Sequence, residues 1–194
     1  MKLSKELKES ILDTMIISVT QNPWIILTFK RSLLNNDLLQ YALELEPALF
    51  KYLKDPSMPV IMKAVDSDGM NLQYVRPSKI TAQMCQIAVK SDPRALQFVP
   101  QRYVNEDMIY ECIEEDPSLI DTLELNIPDE YFIERLDEHP SLVRYKKDLN
   151  EDIVCEAIKR DYNIALYYNT LTDKMKKTLE EYYPNIVHML PNYR

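Results

Sequence analysis

The chain has 194 residues, which suits one domain or two small ones, and its hydrophobic content of 46% indicates a buried core. Its single glycine excludes Walker loops, dinucleotide-binding loops and nucleophile elbows, because each of these motifs needs glycines at fixed spacings. Its net charge of −8 disfavours general nucleic-acid binding, which needs clustered Lys and Arg.

The first ten residues form a charged lead-in in our interpretation. The N-terminus is charged, like the start of a signal peptide, but the apolar stretch that follows is interrupted by Asp13, Thr14 and Ser18, and no small-residue cleavage site is evident. No run of 18 apolar residues occurs, so no membrane-spanning helix is expected. The three cysteines have no paired short spacing, which argues against a disulfide scaffold or a zinc site. We therefore expect a cytoplasmic protein, in the host cytoplasm if the gene is viral.

Residues 11–194 are predicted to consist of tandem repeats. Segments aligned on a recurrent proline give eight units that are spaced by 22 to 24 residues, and in five of them an acidic residue stands directly before the anchor. The anchors are Pro23, Pro47, Gly69, Pro93, Pro117, Pro140, Tyr162 and Pro184.

Each unit is predicted to begin with a helix of about ten residues. Six of the seven residues that lie twelve positions before an anchor are N-cap types, whose side chains accept hydrogen bonds from free helix N–H groups. Apolar residues nine, five and four positions before the anchor make one helical stripe. The helix should end at the anchor, because proline disfavours a helical residue before it and can start a new helix. The seven cap positions are Asn35, Ser57, Thr81, Asn105, Pro128, Asn150 and Thr172.

A shorter segment follows each anchor. All eight residues three positions after an anchor are apolar, and most residues six positions after it are apolar too, which favours a helix of two turns. A lone strand in each unit, as in leucine-rich repeats, is the alternative, but the Leu-x-x-Leu-x-Leu pattern and the Asn ladder are absent. So short a unit cannot bury its own apolar stripe, whereas stacked neighbours can. The sequence therefore predicts an all-α fold, an α-solenoid of about eight helix–turn–short-helix repeats in a single domain over residues 1–194.

Three segments carry a resemblance to a known family: MCQIAVKSDPRALQFV, MIYECIEEDPSLIDTL and IVCEAIKRDYNIALYY. The recurring helix, Asp-Pro and short apolar helix resemble a family of tandem short helical repeats that is classed as a domain of unknown function. That family is found in phage, large-virus and microbial proteins. The resemblance covers roughly residues 35–190 and implies a helical repeat fold with a broad binding role. It brings no catalytic residues.

Residues that could carry chemistry are few. His139 and His188 occupy positions that are not equivalent in their units, so we interpret them as turn and surface residues. Cys85, Cys112 and Cys155 lie on or beside the apolar stripe, where buried cysteine behaves as a small hydrophobe. We predict no catalytic residue, no cofactor and no metal site, and calcium is disfavoured because no Asp-x-Asp-x-Asp-Gly loop occurs.

Aromatic residues form a column five positions after the anchors, namely Tyr52, Tyr74, Phe98, Tyr145 and Tyr167. Packing in the core or in a groove between helices is one interpretation of this column. A line of aromatics along a binding groove is the other, because Tyr combines apolar area with a polar tip.

Charge is unevenly distributed along the chain. Residues 105–140 contain thirteen acidic residues and one basic residue, a net charge of −12, whereas residues 76–104 have a net charge of +4. The acidic residues recur ten, six and three positions before the anchors, on the helix face opposite the apolar stripe. A solvated outer surface and a binding surface for a basic partner are both consistent with this pattern. The candidate partner-binding residues are Asp107, Glu111, Glu114, Glu130, Glu134, Asp137, Asp152 and Glu156.

The function that this pattern favours is a non-enzymatic repeat protein that binds a partner protein with a basic surface through an extended, partly acidic surface. If the gene is viral, we expect a host-takeover or anti-defence factor. A nucleic-acid-mimicking inhibitor of a nucleic-acid-binding protein is one alternative, because the carboxylates recur regularly. An enzyme with a carboxylate pair such as Glu111 and Glu134 is another, although acid–base catalysis needs a sheltered pocket. Direct nucleic-acid binding and membrane association are not expected.

Overall fold

Every regular element is a helix in the computed structural model, which describes residues 5–193. The prediction of an all-α fold is confirmed. Long α-helices alternate with short 3-10 helices. The α-helices are α1 (Lys5–Gln21), α2 (Asn36–Leu45), α3 (Met58–Ser67), α4 (Ala82–Ser91), α5 (Glu106–Glu115), α6 (Leu119–Thr122), α7 (Asp129–Arg135), α8 (Glu151–Arg160) and α9 (Asp173–Tyr182). The 3-10 helices are Pro23–Thr28, Arg31–Leu33, Pro47–Tyr52, Gly69–Tyr74, Pro77–Lys79, Pro93–Phe98, Gln101–Tyr103, Pro140–Tyr145, Tyr162–Tyr167 and Val187–Met189.

The first helix of the repeat has the predicted length. Helices α2, α3, α4, α5, α8 and α9 each contain ten residues. Predicted caps explain where most of them start: the Asn35 Oδ1 accepts the N–H of Leu38 at 2.8 Å, and the Asn105 Oδ1 accepts the N–H of Met108 at 2.8 Å. Ser57 is the exception, because its side chain makes no capping hydrogen bond to α3. Helix α7 follows Pro128, whose side chain has no capping group, and it contains only seven residues.

The short segment of most repeats is a 3-10 helix of six residues, which is two turns at three residues per turn. Apolar residues three and six positions after the anchor therefore lie on one face. The acidic residue before the anchor caps this helix: the Asp92 Oδ1 accepts the N–H of Arg94 at 2.9 Å, and the Asp161 Oδ1 accepts the N–H of Asn163 at 2.9 Å. The recurring acid is thus a helix cap, a role that the sequence analysis did not assign.

The repeat length varies because of a second, three-residue 3-10 turn that the sequence analysis did not predict. The turns Arg31–Leu33, Pro77–Lys79 and Gln101–Tyr103 lie in the three repeats whose anchors are 24 residues apart. In the described part of the chain, the repeats with a spacing of 22 residues contain no such turn. Adding or removing this turn changes the connection between repeats and leaves the two main helices unchanged.

The core consists of the predicted apolar columns. The residues three positions after the anchors are all buried. Those four positions before the first seven anchors are buried too, whereas the eighth, Glu180, is exposed. Asn71 is a buried polar residue in this core. It lies two positions after its anchor, where other repeats have apolar residues such as Leu49 and Ile164. Its Nδ2 donates to the carbonyl oxygens of Ala64 at 3.0 Å and of Pro47 at 3.3 Å, so this buried amide links two repeats.

The chain divides into two compact units, one up to Glu115 and one from Asp116 onward. In the first unit each α-helix from α1 to α5 contacts the next, and the six-residue 3-10 helices contact one another in the same order. In the second unit α8 contacts α9, and Pro140–Tyr145 contacts Tyr162–Tyr167. The solenoid course and the single domain over residues 1–194 stay predictions.

The predicted lead-in is helical over part of its length. Residues 5–10 belong to α1, which continues to Gln21 without a break. Residues 1–4 of the lead-in, and Arg194 at the end of the predicted repeats, lie outside the described residues.

Candidate protein-binding surface

The eight predicted partner-binding carboxylates all lie at or near the surface. Seven of them are exposed and Glu156 is half-buried. Asp107, Glu111 and Glu114 lie on α5 in the first unit, and the other five belong to the second unit.

The α5 carboxylates form what we call the acidic face: Asp107, Glu111 and Glu114. These residues are three or four positions apart, so they follow one another along one side of the helix. The buried stripe of Met108, Cys112 and Ile113 lies on the opposite side. Asp107 and Glu111 are exposed, and neither has a hydrogen-bonding or ion-pair partner among the side chains that the structure describes, those of residues 7 and 9–193.

The negative field of α5 also affects a buried thiol. Cys112 is 2% exposed, and its burial, together with the charges of Glu111 and Glu115, raises the pKa of the thiol to about 11. Burial likewise raises the pKa of Cys85 and of Cys155. All three cysteines are free thiols and buried, as the apolar stripe predicted.

Three of the five predicted carboxylates in the second unit are instead held by basic residues: Asp137 and Asp152 by a cation of the next repeat, and Glu156 by cations of its own helix. The Arg160 Nε donates to the Asp137 Oδ1 at 2.7 Å, and the same guanidinium donates to the Glu156 carbonyl oxygen at 2.8 Å and contacts its Oε2 at 3.4 Å. Lys174 pairs with Asp152. Hydrogen bonds from Lys159, and then from Arg160, lower the pKa of Glu156.

The remaining two predicted partner-binding carboxylates, Glu130 and Glu134, lie on α7. Both are exposed, and the only ion pair of Glu134 within residues 5–193 is with Arg135, across 3.7 Å. Glu134 is 74% exposed, so this contact is worth less than about 1 kcal/mol. Glu130 has no ion pair within the same residues.

A count of charge within residues 105–140 does not show this pairing, because Arg160 and Lys174 lie outside that range. The sequence does contain a signal for this pairing, namely opposite charges that are one repeat length apart. Asp137 and Arg160 are 23 residues apart, and Asp152 and Lys174 are 22 residues apart. In both pairs, opposite charges one repeat apart lie side by side in neighbouring repeats. Asp107 and Glu111 on α5 therefore keep their charge without a neighbouring cation among the side chains that the structure describes, as Glu130 does on α7.

The aromatic column is more exposed than core packing would make it. Tyr52, Tyr74 and Tyr167 are each about half exposed, at 51%, 47% and 50%. Tyr145 and Phe98 are partly buried. Core packing is therefore wrong for three of the five residues.

Among the side chains that the structure describes, those of residues 7 and 9–193, no three His, Cys, Asp or Glu residues are grouped closely enough to hold a metal ion. The helices in the same range are all too short or too polar to cross a bilayer.

Comparisons of the chain with family models, with curated proteins and with solved structures found no match.

Proposed function

We propose that this chain is a non-enzymatic helical repeat protein that binds a partner protein with a basic surface, and that the acidic face of α5 is its contact surface. The observation that carries the proposal is that Asp107 and Glu111 are exposed and have no cation beside them among residues 5–193. Unpaired carboxylates on one helix side create a negative potential that attracts and orients a positively charged partner.

From the resemblance to phage and large-virus repeat proteins we infer that this binding occurs in the cytoplasm, in that of the host if the gene is viral. The partner is then a host protein whose basic surface serves the defence or the gene expression of the cell. In this role the repeat protein binds its partner through the charge and shape of its surface and catalyses no reaction.

A nucleic-acid mimic is a narrower form of the same function. A mimic needs carboxylates in long, unpaired rows that reproduce phosphate positions. The pairing of Asp137 and Glu156 with Arg160, and of Asp152 with Lys174, interrupts such rows in the second unit. We therefore favour general electrostatic recognition by α5.

The test begins with the immobilised full chain, which captures host proteins at low salt, and continues with the purified captured protein. Calorimetry then compares the wild type with the double variant Asp107→Asn and Glu111→Gln. We expect the dissociation constant to rise about tenfold in the double variant, and the wild-type affinity to fall with added salt.

The matched control is the double variant Asp13→Asn and Asp66→Asn, which removes the same charge from other exposed positions of the first unit. Its affinity should stay within about twofold of the wild type. Equal losses in the two double variants would contradict a specific role for α5. Competition by duplex DNA for the same partner would instead support the mimic.

A further inference from the structure

The second repeat has a shortened connection between its 3-10 helix and the next α-helix. Pro47 and Gly69 are 22 residues apart, whereas the repeats on either side span 24 residues. The neighbouring connections contain the turns Arg31–Leu33 and Pro77–Lys79, but residues 53–57 pass directly from the 3-10 helix to α3. Asp55 adopts a φ of 50° there, in the left-handed region that is uncommon for residues other than glycine.

Side chains from both neighbouring turns hold the shortened connection. The Arg31 guanidinium donates to the carbonyl oxygens of Lys54 at 2.7 Å and of Asp55 at 3.2 Å. From the other side, the Lys79 Nζ donates to the Pro56 carbonyl oxygen at 3.1 Å and to the Asp55 Oδ1 at 3.1 Å. The carbonyl groups left free by the absent turn are thus satisfied by cations.

A depression lies on each side of residues 53–56, with volumes of about 590 Å³ and about 410 Å³, and we call the two together the short-linker groove. Both depressions are lined by Leu53, Lys54, Asp55, Pro56 and Lys79. They share a boundary and lie within the first unit.

The walls of the short-linker groove are mostly apolar. Phe29, Leu34 and Leu39 line the larger depression and are only partly buried. Leu27 and Tyr52 line it with 42% and 51% of their surfaces exposed. This apolar area is available to a ligand.

Tyr74 belongs to the smaller depression and is 47% exposed, so the tyrosines of two successive repeats both border the groove. Phe50 and Ile61 are buried and form part of the lining of the same depression.

The charges at the short-linker groove have the opposite sign to the net charge of the chain. Arg31, Lys54, Arg76 and Lys79 line it against a single carboxylate, Asp55, which leaves a net charge of +3. Asp55 is shared between Lys79 at 3.1 Å and Arg76 at 3.4 Å. Lys54 is exposed, and its ammonium group has no partner within the part of the chain that the structure describes.

We propose that the short-linker groove binds an extended segment of a partner protein in which acidic residues alternate with large apolar residues. Apolar side chains of the segment occupy the two depressions against Leu27, Tyr52 and Tyr74. Carboxylates of the segment pair with Lys54 and with the outer edges of Arg31 and Arg76. The ligand is chemically opposite to the basic surface that the acidic face of α5 attracts, so this site is separate from the proposed function and goes beyond it.

Charge complementarity decides between this ligand and other occupants. A basic segment would meet four cations, and a purely apolar one would leave Lys54 without a partner. Nucleic acid would satisfy the cations but would leave the partly exposed leucines in contact with phosphate and sugar. An acidic and apolar peptide satisfies both parts of the lining.

The experiment titrates the full-length chain into fluorescein-labelled peptide pools and follows fluorescence anisotropy. The peptides contain about six residues, roughly 20 Å when extended, which is enough to cross both depressions. The main pool alternates Asp or Glu with Leu, Ile or Phe. One control pool replaces the acids by Lys, and another replaces the apolar residues by Ser. An oligothymidine of similar length is the nucleic-acid probe.

We expect binding of the main pool with a dissociation constant on the order of 10 to 100 μM and at least about tenfold weaker binding of each control probe. Trp24 provides a second readout, because it is the only tryptophan and its ring centroid lies 5.5 Å from that of Tyr52. Its fluorescence should change on titration with the unlabelled main pool.

Lys54→Glu is the test variant, because this exposed side chain makes no described contact whose loss would affect folding. Lys54→Glu should weaken binding of the main pool by about tenfold. The control Lys90→Glu reverses the same charge at an exposed position of α4 and should change the affinity by less than about twofold. Leu27→Ser should weaken binding without changing its dependence on salt.

The proposal is overturned if the main pool does not bind at about 1 mM protein, if the oligothymidine binds as tightly, or if Lys54→Glu and Lys90→Glu behave alike. A last measurement is the sedimentation of the chain without peptide, which reports self-association. Self-association that Lys54→Glu abolishes would assign the groove to a second copy of the chain and would also overturn the proposal.

Discussion

Gly69 lies so close to Ala88 that a Cβ atom at position 69 would be 2.1 Å from the Ala88 carbonyl oxygen. The same Cβ would be 3.1 Å from the backbone nitrogen of Asp92. The Gly69 N–H also donates to the Ser91 Oγ at 3.2 Å, and this hydroxyl donates to the Asp66 carbonyl oxygen at 3.2 Å. The single glycine of the chain therefore permits two repeats to approach closely at an anchor where six of the other seven have proline.

Gly69→Ala should lower the free energy of unfolding by about 3 kcal/mol, because the atoms that oppose the new methyl group are backbone atoms and cannot rotate away. Urea unfolding followed by circular dichroism measures this. Gln73→Ala, at an exposed position of the same 3-10 helix, should change stability by less than about 0.5 kcal/mol. Equal stabilities of wild type and Gly69→Ala would show that the repeats can separate at this point without cost.

Asn71→Leu should destabilise the protein by about 2 kcal/mol, although leucine is the type of residue found at this position in other repeats. The Asn71 amide donates to the carbonyl oxygens of Pro47 and Ala64, and leucine would remove a hydrogen-bond donor from both. Thermal unfolding by calorimetry provides the measurement. A variant as stable as the wild type would mean that packing alone determines this site.

Asp92→Asn should reduce stability at neutral pH but make little difference in acid. The side-chain hydrogen bond from Arg94 holds the pKa of Asp92 below its ordinary value of 3.8, and the N–H of Arg94 acts in the same direction. Stabilisation by a carboxylate with a lowered pKa is complete above its unfolded pKa and is lost as the pH falls through the folded value.

The stability difference between wild type and Asp92→Asn, measured from about pH 7 to about pH 2, should therefore shrink below about pH 4. Glu106→Gln, at an exposed position of the same unit, serves as the control and should show a smaller dependence. A difference that does not change with pH would exclude the Arg94 interaction as its source.

Cys112 should resist alkylation in the native protein. With a pKa of about 11, only about one thiol in a thousand is ionised at pH 8, and burial blocks access to that fraction. Iodoacetamide treatment and mass spectrometry should show no modification of Cys112 in native protein and complete modification in urea. Rapid modification of the native thiol would show that α5 opens locally.

The sequence by itself determined the helical class, the ten-residue first helix, its caps and the buried columns. These features are local: a cap such as Asn35 bonds to the helix that it starts, and the residues of each apolar stripe lie on one helix. The sequence also located the acids of α5 on the face away from the core. The apolar residues three positions after every anchor and six positions after most of them also predict a helix of two turns, but this spacing does not by itself specify a 3-10 helix.

Only the tertiary structure decided which charges remain free and where a groove opens. Asp137 pairs with Arg160, and Asp55 pairs with Lys79, because the packing of neighbouring repeats brings residues one repeat apart into contact. A loss of two residues between Pro47 and Gly69 is visible in the repeat spacing, but its effect depends on the longer turns on either side. Such effects depend on distances between repeats, which periodicity within one repeat does not determine.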